Sequence, residues 1–515
     1  MGDGWGPSGS RRTQVRGSLL ALYLMVFFSQ FKPSEPFLVD FLVSKGFTNK
    51  QVYKNMFPLY VYARLPCMIL VGLFSELPCC RGGAAACSRI LFAGTVCGFA
   101  TVMLTLWTEH LEAQQLAQFT VAFNFASRFA VVPMIFALVP AAEYQQHTHL
   151  VKAVLLISNA GSALLGEVLR DMASFPLSGL FSVAAVCQAA SVLCALALLR
   201  AEPSPGPTPS EVVAAQRGIP QLGWATSLKA AMRDLVLCFR LRCVVWWTIW
   251  ALAMNSSHGL ALTYWQNLLR ENGIQSNHNG YMLGGTYLAA AGLVAACRRS
   301  ALLGGLTEAL IIPTLLAAGT LLFAVASATQ EVPFYSLLTL FQCIFEVVTA
   351  VSTFQVGAEL TRAADPELAR TRSSWPVPKQ ARLTLLFSAT GVLVGLTETS
   401  LQVVLGRLHS QQMRFQLLGL GLAALGVLLA VVSCLEGLIG RRSRCPWGAA
   451  RLLPAAEDSF VTSALRHTEP PSAARALGQG CGVDAEPPPR AEADSSSSLQ
   501  LGKRAWSSEA SGARL

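Results

Sequence analysis

Long apolar blocks follow one another along most of this chain, separated by short polar or Pro- and Gly-rich breaks. A soluble amphipathic helix would place polar residues every two or three positions, and these blocks do not. Each block has about 20 residues or more, which is the length that an α-helix needs to cross a bilayer. The breaks divide the chain into twelve predicted transmembrane helices, near residues 17–43, 52–77, 84–107, 113–138, 147–170, 174–199, 243–268, 277–298, 301–326, 333–360, 381–405 and 412–438.

The predicted helices fall into two groups of six, separated by a longer polar segment that opens with a proline-rich run. Such a run is typical of a stiff spacer. We expect a cytosolic N-terminus over 1–16, an N-terminal six-helix half over 17–199, a linker over 200–242, a C-terminal six-helix half over 243–438 and a disordered tail over 439–515. Lys and Arg are concentrated in the loops that share a face with both chain ends, so the positive-inside rule predicts cytosolic termini.

Composition narrows the class of protein further. Of the 515 residues, 53% are apolar and only 13% are charged, whereas globular proteins average about 25% charged residues. This excludes a soluble enzyme, a disulfide-built secreted domain and a disordered regulator. The net charge of +10 is explained by basic residues beside the spans, so we expect a lipid bilayer as partner and no nucleic acid, metal or cofactor. The plan predicts an all-α integral membrane protein, a 12-helix (6+6) bundle of the major facilitator type.

Ionisable side chains inside the predicted spans mark the candidate site, because a charge in hydrocarbon is costly unless it faces water or a partner. Glu35 lies between Pro33 and Pro36, and two prolines so close together break the helix beside the carboxylate. The alternative is a helix that ends at Pro33, with Glu35 among the headgroups. Arg128 lies too deep to reach the headgroups, and Asn124 lies one turn before it on the same face. It either faces a cavity or pairs structurally with an acid.

Two more acids lie in the C-terminal half. Gln342 and Glu346 are one turn apart in the tenth span, and Glu398 lies between two threonines in the eleventh. We expect the acids to pair with Arg128 across a central cavity, as a gate, a proton site or a substrate clamp. The alternative is that they are packed, or protonated in place.

Five further residues are candidates for stacking, gating or coupling. His258, in the seventh span, either takes part in proton coupling or only bonds a neighbouring helix. Tyr264 and Trp265 either stack on a flat heterocycle or belong to an interfacial aromatic belt. Glu76 and Arg81, where the second span meets the cytosol, are expected to act as a conformational latch.

Several motifs resemble those of the reduced folate carrier and thiamine transporter family, over residues 17–440. They are Pro33–Leu38, Thr48–Tyr53, Phe57–Tyr60, Asn255–Ser256, Asn279–Gly280 and Thr353–Gln355. The resemblance implies a facilitator-type carrier of a water-soluble vitamin in the plasma membrane. With the pattern above, it gives a candidate substrate site of Glu35, Tyr60, Gln118, Asn124, Arg128, Tyr264, Trp265, Asn279, Gln342, Glu346 and Glu398.

The same resemblance identifies departures from the family. Glu35 matches an acid of both branches, and Arg128 matches an Arg of folate carriers where thiamine carriers have an acid. Gln118 stands where the family usually has a Glu. Gln342 replaces an Arg of the folate carriers, and Glu398 replaces their substrate-anchoring Lys. The chain is therefore a divergent member whose substrate does not transfer directly.

Counting cavity charges gives three acids, Glu35, Glu346 and Glu398, against Arg128. That balance favours an organic cation such as thiamine over a dianionic folate. The leading hypothesis is a secondary carrier of thiamine or reduced folate that works by alternating access, with a proton or an anion as coupling ion. The alternatives are a reduced-folate or organic-anion carrier, and a transport-dead relative acting as a receptor or scaffold. An enzyme is disfavoured, because no nucleophile–base set stands out.

Overall fold

A computed structural model describes residues 8–48, 51–76, 84–140, 143–173, 175–201, 224–274, 279–298, 307–363, 382–408 and 410–439. Every regular element within these ranges is helical, which confirms the all-α prediction. Arg81, the proline-rich opening of the linker and the predicted tail lie outside the described residues. The sidedness of the termini stays a prediction.

The described residues of the N-terminal half form eight α-helices, because two of its predicted spans are broken. They are α1 Ser8–Gln30, α2 Leu38–Ser44, α3 Phe57–Phe74, α4 Ala84–Trp107, α5 Leu111–Ser127, α6 Val131–Leu138, α7 Tyr144–Ala173 and α8 Leu177–Arg200. A 3-10 turn over Glu35–Phe37 leads into α2, and another over Arg128–Ala130 joins α5 to α6. A π-helical turn over Val52–Met56 precedes α3.

The C-terminal half begins with a short helix inside the predicted linker, which the sequence analysis did not predict. Its helices are α9 Trp224–Cys238, α10 Arg242–Glu271, α11 Asn279–Cys297, α12 Thr307–Ser327, α13 Glu331–Ala363, α14 Leu383–Leu405 and α15 Gln411–Ile439. The chain bends by 86° between α9 and α10. Since α10 is a predicted span, α9 runs across the bundle rather than along it.

Ten helices of the described part are long and apolar enough to cross a membrane, where α5 and α6 count together as one. The other two predicted spans differ. The first is not among the ten, because α1 ends at Gln30 and the prolines that follow prevent it from continuing. The seventh, α10, meets the same criterion only when it is joined to the bent α9. Its middle carries Asn255, Ser256 and His258, which lower its hydropathy.

The break after α1 has the predicted position and a defined packing partner. Glu35 N donates to Lys32 O at 3.0 Å, and Phe37 N donates to Ser34 O at 3.1 Å, so the chain turns tightly before α2. A Cβ at Gly166 of α7 would lie 2.7 Å from Pro33 O. The absence of a side chain at Gly166 therefore lets α7 approach the broken segment closely.

The two halves meet mainly along two helix pairs, α3 with α14 and α7 with α11, and α7 also packs against α13. Small residues allow both approaches. A Cβ at Gly395 of α14 would lie 2.8 Å from Leu65 of α3, and one at Gly284 of α11 would lie 2.6 Å from Leu164 of α7. The remaining helices of each half pack around these pairs, which leaves a space between the halves at mid-height.

Candidate functional site

A cavity of about 390 Å³ lies between the two halves. The N-terminal half contributes α3, α5 and the turn at Arg128, and the C-terminal half contributes α10, α13 and α14. A second cavity of about 200 Å³ extends into the N-terminal half and reaches Lys152 of α7. Both cavities are lined by Arg128, Val132, Thr349 and Thr353, so they share a wall.

Arg128 lies where α5 gives way to the 3-10 turn, and neutral groups hold its guanidinium. Nη1 donates to Gln30 Oε1 at 3.2 Å, and Nη2 donates to Asn124 Oδ1 at 3.2 Å. Asn124 is fixed in turn, because its Nδ2 donates to Gly94 O at 2.7 Å. Among the described residues no acid forms an ion pair with Arg128. In the described part of the cavity wall, Arg128 is therefore a positioned cation that no acid contacts, with Glu35 acting on it only from a distance.

Glu398 pairs with Arg64 and not with Arg128, so the predicted partner is wrong. Arg64 Nη1 of α3 lies 3.2 Å from Glu398 Oε2 of α14, and both side chains line the larger cavity. The Arg64 guanidinium lies over the Phe125 ring, 4.2 Å from its centroid. A Cβ at Gly259 would lie 3.1 Å from Glu398 Oε1, so a glycine there leaves room for the carboxylate.

Glu346 also has a partner that the sequence analysis missed. Lys152 Nζ of α7 lies 2.6 Å from Glu346 Oε2, while Gln342 Nε2 donates to Glu346 Oε1 at 3.0 Å. His258 Nε2 lies 2.6 Å from Gln342 Oε1, and an amide oxygen can only accept, so His258 is the donor. The His258 ring stacks on Phe345 with centroids 3.7 Å apart. A polar chain thus runs from the larger cavity, at His258, to the smaller one, at Lys152.

Glu35 and Tyr60 lie near this region but line neither of the two cavities. The Glu35 side chain is exposed in the break after α1 and lies within electrostatic range of Lys32, Tyr60 and Arg128. The Tyr60 ring meets Phe125 edge-on, with centroids 6.5 Å apart. Both residues are therefore placed beside Arg128 and the aromatic wall rather than in the cavity.

Three other candidates lie outside the two cavities. Gln118 is half-buried on α5. Tyr264 carries Arg414 over its ring at 5.6 Å from the centroid, and Trp265 is buried with its ring edge-on to a tyrosine of α13. Stacking of these two rings on a heterocycle stays a prediction. Asn279 begins α11, and its side chain is outside the described part of the chain.

Each end of the bundle has its own polar contacts between the halves. At one end, which we call the Glu76 end, Arg382 Nη1 donates to Glu76 Oε2 at 2.5 Å, and Arg382 Nε lies 3.6 Å from Asp234 Oδ2 of α9. At the other, the Glu167 end, Gly280 N donates to Glu167 Oε1 at 2.9 Å. Glu76 thus has a partner from the opposite half. The predicted role of Arg81, which lies outside the described residues, stays a prediction.

The charge count that favoured a cation is wrong, because it left out two cations of the N-terminal half. Arg64 neutralises Glu398, and Lys152 neutralises Glu346. Arg128 remains without an acid among the described ion pairs. A signal for Arg64 was present, since it is a charged residue within the span 52–77; Lys152 lies near a span end and there resembles an ordinary flanking lysine.

Two solved structures share the overall fold. The human organic anion transporter MFSD10 (TETRAN) has a TM-score of 0.55 at 14% identity, over 81% of this chain and 99% of that one. The Escherichia coli fucose:proton symporter has a TM-score of 0.53 at 11% identity, over 81% of this chain and 98% of that one. At such identities the likeness shows the fold alone, which is that of the major facilitator transporters.

The sequence relatives are named as folate, folate-like or thiamine transporters. A folate-like transporter of Dictyostelium discoideum is 23% identical over 65% of this chain, and mouse thiamine transporter 2 is 24% identical over 32%. The rat reduced folate transporter is 28% identical over 29%. These matches span 55%, 33% and 28% of the relatives' own lengths. The family described as reduced folate carrier matches residues 16–205 and 210–364, well over half of the chain, which therefore belongs to that family.

Proposed function

We propose that this chain is a secondary carrier that moves a water-soluble vitamin of the folate and thiamine class across the plasma membrane by alternating access. The names of its relatives and the shared fold support a transporter. Within that class, we propose an organic anion of the reduced-folate type as substrate. The observation that carries this choice is the Arg128 guanidinium, which faces the cavity with only neutral partners.

An anionic substrate follows from the electrostatics of Arg128. Among the described residues no acid contacts Arg128, and Glu35 acts on it only from a distance. A mostly uncompensated buried cation is unfavourable at low dielectric, and a bound anion would relieve that cost. A planar guanidinium also matches a carboxylate, to which it can donate two parallel hydrogen bonds. Gln30 and Asn124 orient the guanidinium through neutral oxygens and leave its charge in place. A positively charged vitamin would instead be repelled by it.

The walls of the cavity suit a flat ring system. Phe125, Trp247 and Phe387 line it from both halves, and aromatic faces of this kind stack on planar heterocycles. Its volume of about 390 Å³ lies within the range of small-molecule pockets, roughly 300–1,000 Å³. A carboxylate at Arg128 and a ring between the aromatic side chains would together explain selection of a ring-bearing organic anion.

Alternating access is supported by the position of the contacts between the halves. The Glu76 end is held by Arg382 and the Glu167 end by the amide of Gly280. A rocking motion of one half against the other would break the contacts at one end and preserve those at the other. The substrate would then reach the cavity from each side in turn.

Uptake into proteoliposomes tests this proposal. We expect the purified protein to accumulate labelled 5-methyltetrahydrofolate, and Arg128→Gln to lower the rate at least about tenfold, because a hydrogen bond between charged groups is lost. Arg414→Gln, which alters a cation over Tyr264 outside the two cavities, is the matched control and should retain uptake. Accumulation of thiamine with no folate uptake would refute the anion assignment.

The same preparation tests the alternative of a receptor or scaffold. Folate-dependent thermal stabilisation without any flux would favour that reading over a carrier. Imposed gradients of pH or of chloride would identify the coupling ion, since a gradient of the coupled species drives accumulation above equilibrium.

A further inference from the structure

The Arg64–Glu398 ion pair is the one contact between charged side chains of the two halves that lines the larger cavity in the described part of the chain. The two side chains are 17% and 18% exposed, and a single nitrogen–oxygen contact of 3.2 Å joins them. Arg64 Nε is buried without a hydrogen-bond partner. The pair therefore uses only part of the bonding capacity of the guanidinium.

Arg64 and Arg128 share one aromatic ring. Their guanidinium carbons lie 4.2 Å and 5.7 Å from the centroid of Phe125, and both residues line the same cavity. In the described part of the chain Glu398 pairs with Arg64, while Arg128 bonds only to amides. The two cations thus lie side by side on the cavity wall, and Glu398 already binds one of them, Arg64.

We propose that Glu398 is an internal carboxylate that occupies Arg64 while the cavity is empty, and that a carboxylate of the transported anion displaces it. Arg64 is then a second anion-binding residue beside Arg128. This inference rests on the proposed function, since it requires an anionic substrate in this cavity.

Displacement is physically reasonable for this pair and not for the other ion pair near the cavities. The pair is mostly buried, so Arg64 would not release Glu398 without a replacement. Both side chains line the cavity, where the carboxylate of a bound ligand can supply that replacement. A substrate carboxylate that bonds Arg64 through two oxygens would replace one contact by two. The Glu346 side chain, by contrast, is 5% exposed and is held by both Lys152 and Gln342. Its removal would take the acceptor from the Lys152 ammonium and from the buried Gln342 amide at once.

Displacement also gives a basis for specificity. The resemblance to folate carriers implies a substrate-anchoring cation at position 398, where this chain has an acid. Arg64 supplies a cation at the same point of the cavity from the facing helix, α3. A ligand that bears a carboxylate releases Glu398 and breaks a bond between α3 and α14. A cationic vitamin cannot compete with Glu398 for Arg64, so it leaves the halves joined.

Binding of folic acid to the full chain in detergent or nanodiscs tests the proposal. Glu398→Gln removes the competing carboxylate and should tighten binding by about tenfold, the effect of one charged contact. Arg64→Gln should weaken binding by at least about tenfold, and the double variant should match Arg64→Gln. Glu398→Asp, with a shorter reach, should tighten binding by a smaller factor. Glu143→Gln, outside both cavities and just before α7, where Glu143 pairs with His147, is the control and should bind as the wild type.

The outcomes separate this inference from the proposed function. If folic acid binds the wild type and Arg128→Gln abolishes binding, but Glu398→Gln binds no tighter, displacement is refuted and the anion carrier stands. If only thiamine binds, both fall. Should Glu398→Gln fold poorly, Glu398→Asp provides the same comparison, with thermal unfolding of each variant as the check on folding.

Discussion

The charged side chains near the cavities differ in how firmly each is held. Lys152 and Glu346 form a contact of 2.6 Å in which the carboxylate is almost fully buried, whereas the Arg64–Glu398 contact is longer, at 3.2 Å, and its carboxylate is more exposed. Arg128 bonds only to neutral amides. Because desolvation strengthens a pair and also raises the cost of losing one partner, the Lys152–Glu346 pair should be structural and the other groups available to a ligand.

Double-mutant analysis distinguishes these roles. Glu346→Gln or Lys152→Met alone should lower stability by about 3–5 kcal/mol, because each leaves an uncompensated buried charge. The double variant should lose less than either single one. Thermal unfolding in detergent provides the measurement, with Glu143→Gln as an exposed control. Additive losses in the double variant would show that the two charges do not depend on each other.

The sequence predicted which acids and which Arg lie near the cavities, but not their partners. Arg128, Glu346 and Glu398 were identified because a charged side chain in the hydrocarbon core has a high free-energy cost. That cost can be inferred from the position of the residue along a predicted span. Partner choice depends on which helix faces which, and the α3–α14 and α7–α11 contacts are set by packing over long sequence distances. The pairing of Arg64 and Lys152 with these acids therefore could not be predicted from the sequence.

Among the helices, too, features with a local cause were predicted and features that depend on tertiary packing were not. Apolar length predicted ten of the spans, and the two prolines predicted the break after α1. The helix α9 and its 86° bend were not predicted. In α9, the Asp234 side chain is buried, and its carboxylate lies 3.6 Å from Arg382 Nε. That contact forms only when α14 packs against α9, so no local sequence pattern predicts it.

The crossing of α12 and α15 depends on two glycines. A Cβ at Gly419 would lie 2.6 Å from Gly319 O and 2.9 Å from Phe323 N, both of them backbone atoms. Gly419→Ala should force the helices apart and cost about 1–3 kcal/mol. Gly421→Ala, two residues later with nothing within 4 Å of the new Cβ, should be neutral or stabilise by up to about 1 kcal/mol. Equal melting temperatures for the two variants would contradict a close crossing.

At the scale of the whole molecule, polar contacts join the halves at both ends of the bundle. Arg382 contacts Glu76 of the N-terminal half and Asp234 of α9 at once, so it connects α3, α9 and α14. The Glu167 end is held by a backbone amide. The contacts at the Glu76 end involve full charges and should therefore be the more sensitive to a change of charge.

Glu76→Gln should shift the population of the carrier toward a state open at the Glu76 end, because the ion pair with Arg382 is lost. Hydrogen exchange measured by mass spectrometry should then become faster at the last turn of α3 and the first turn of α14. Exchange near Glu167 should be unchanged or slower. Glu143→Gln, whose partner His147 lies one turn further along the chain in the same half, should alter neither. Faster exchange at both ends would indicate general destabilisation instead.

The interruption after Gln30 affects how the chain is made. The uncharged stretch of α1, from Gly17 to Gln30, is shorter than the roughly 20 residues of a self-sufficient span. Its main contacts are with α7 and α8, which the ribosome produces later, and it also touches α6. We therefore expect stable insertion of α1 to await synthesis of the helices that receive it. Membrane integration of α1 and folding of this half should then be one process, and a nascent chain that stalled before Leu177 would hold α1 insecurely.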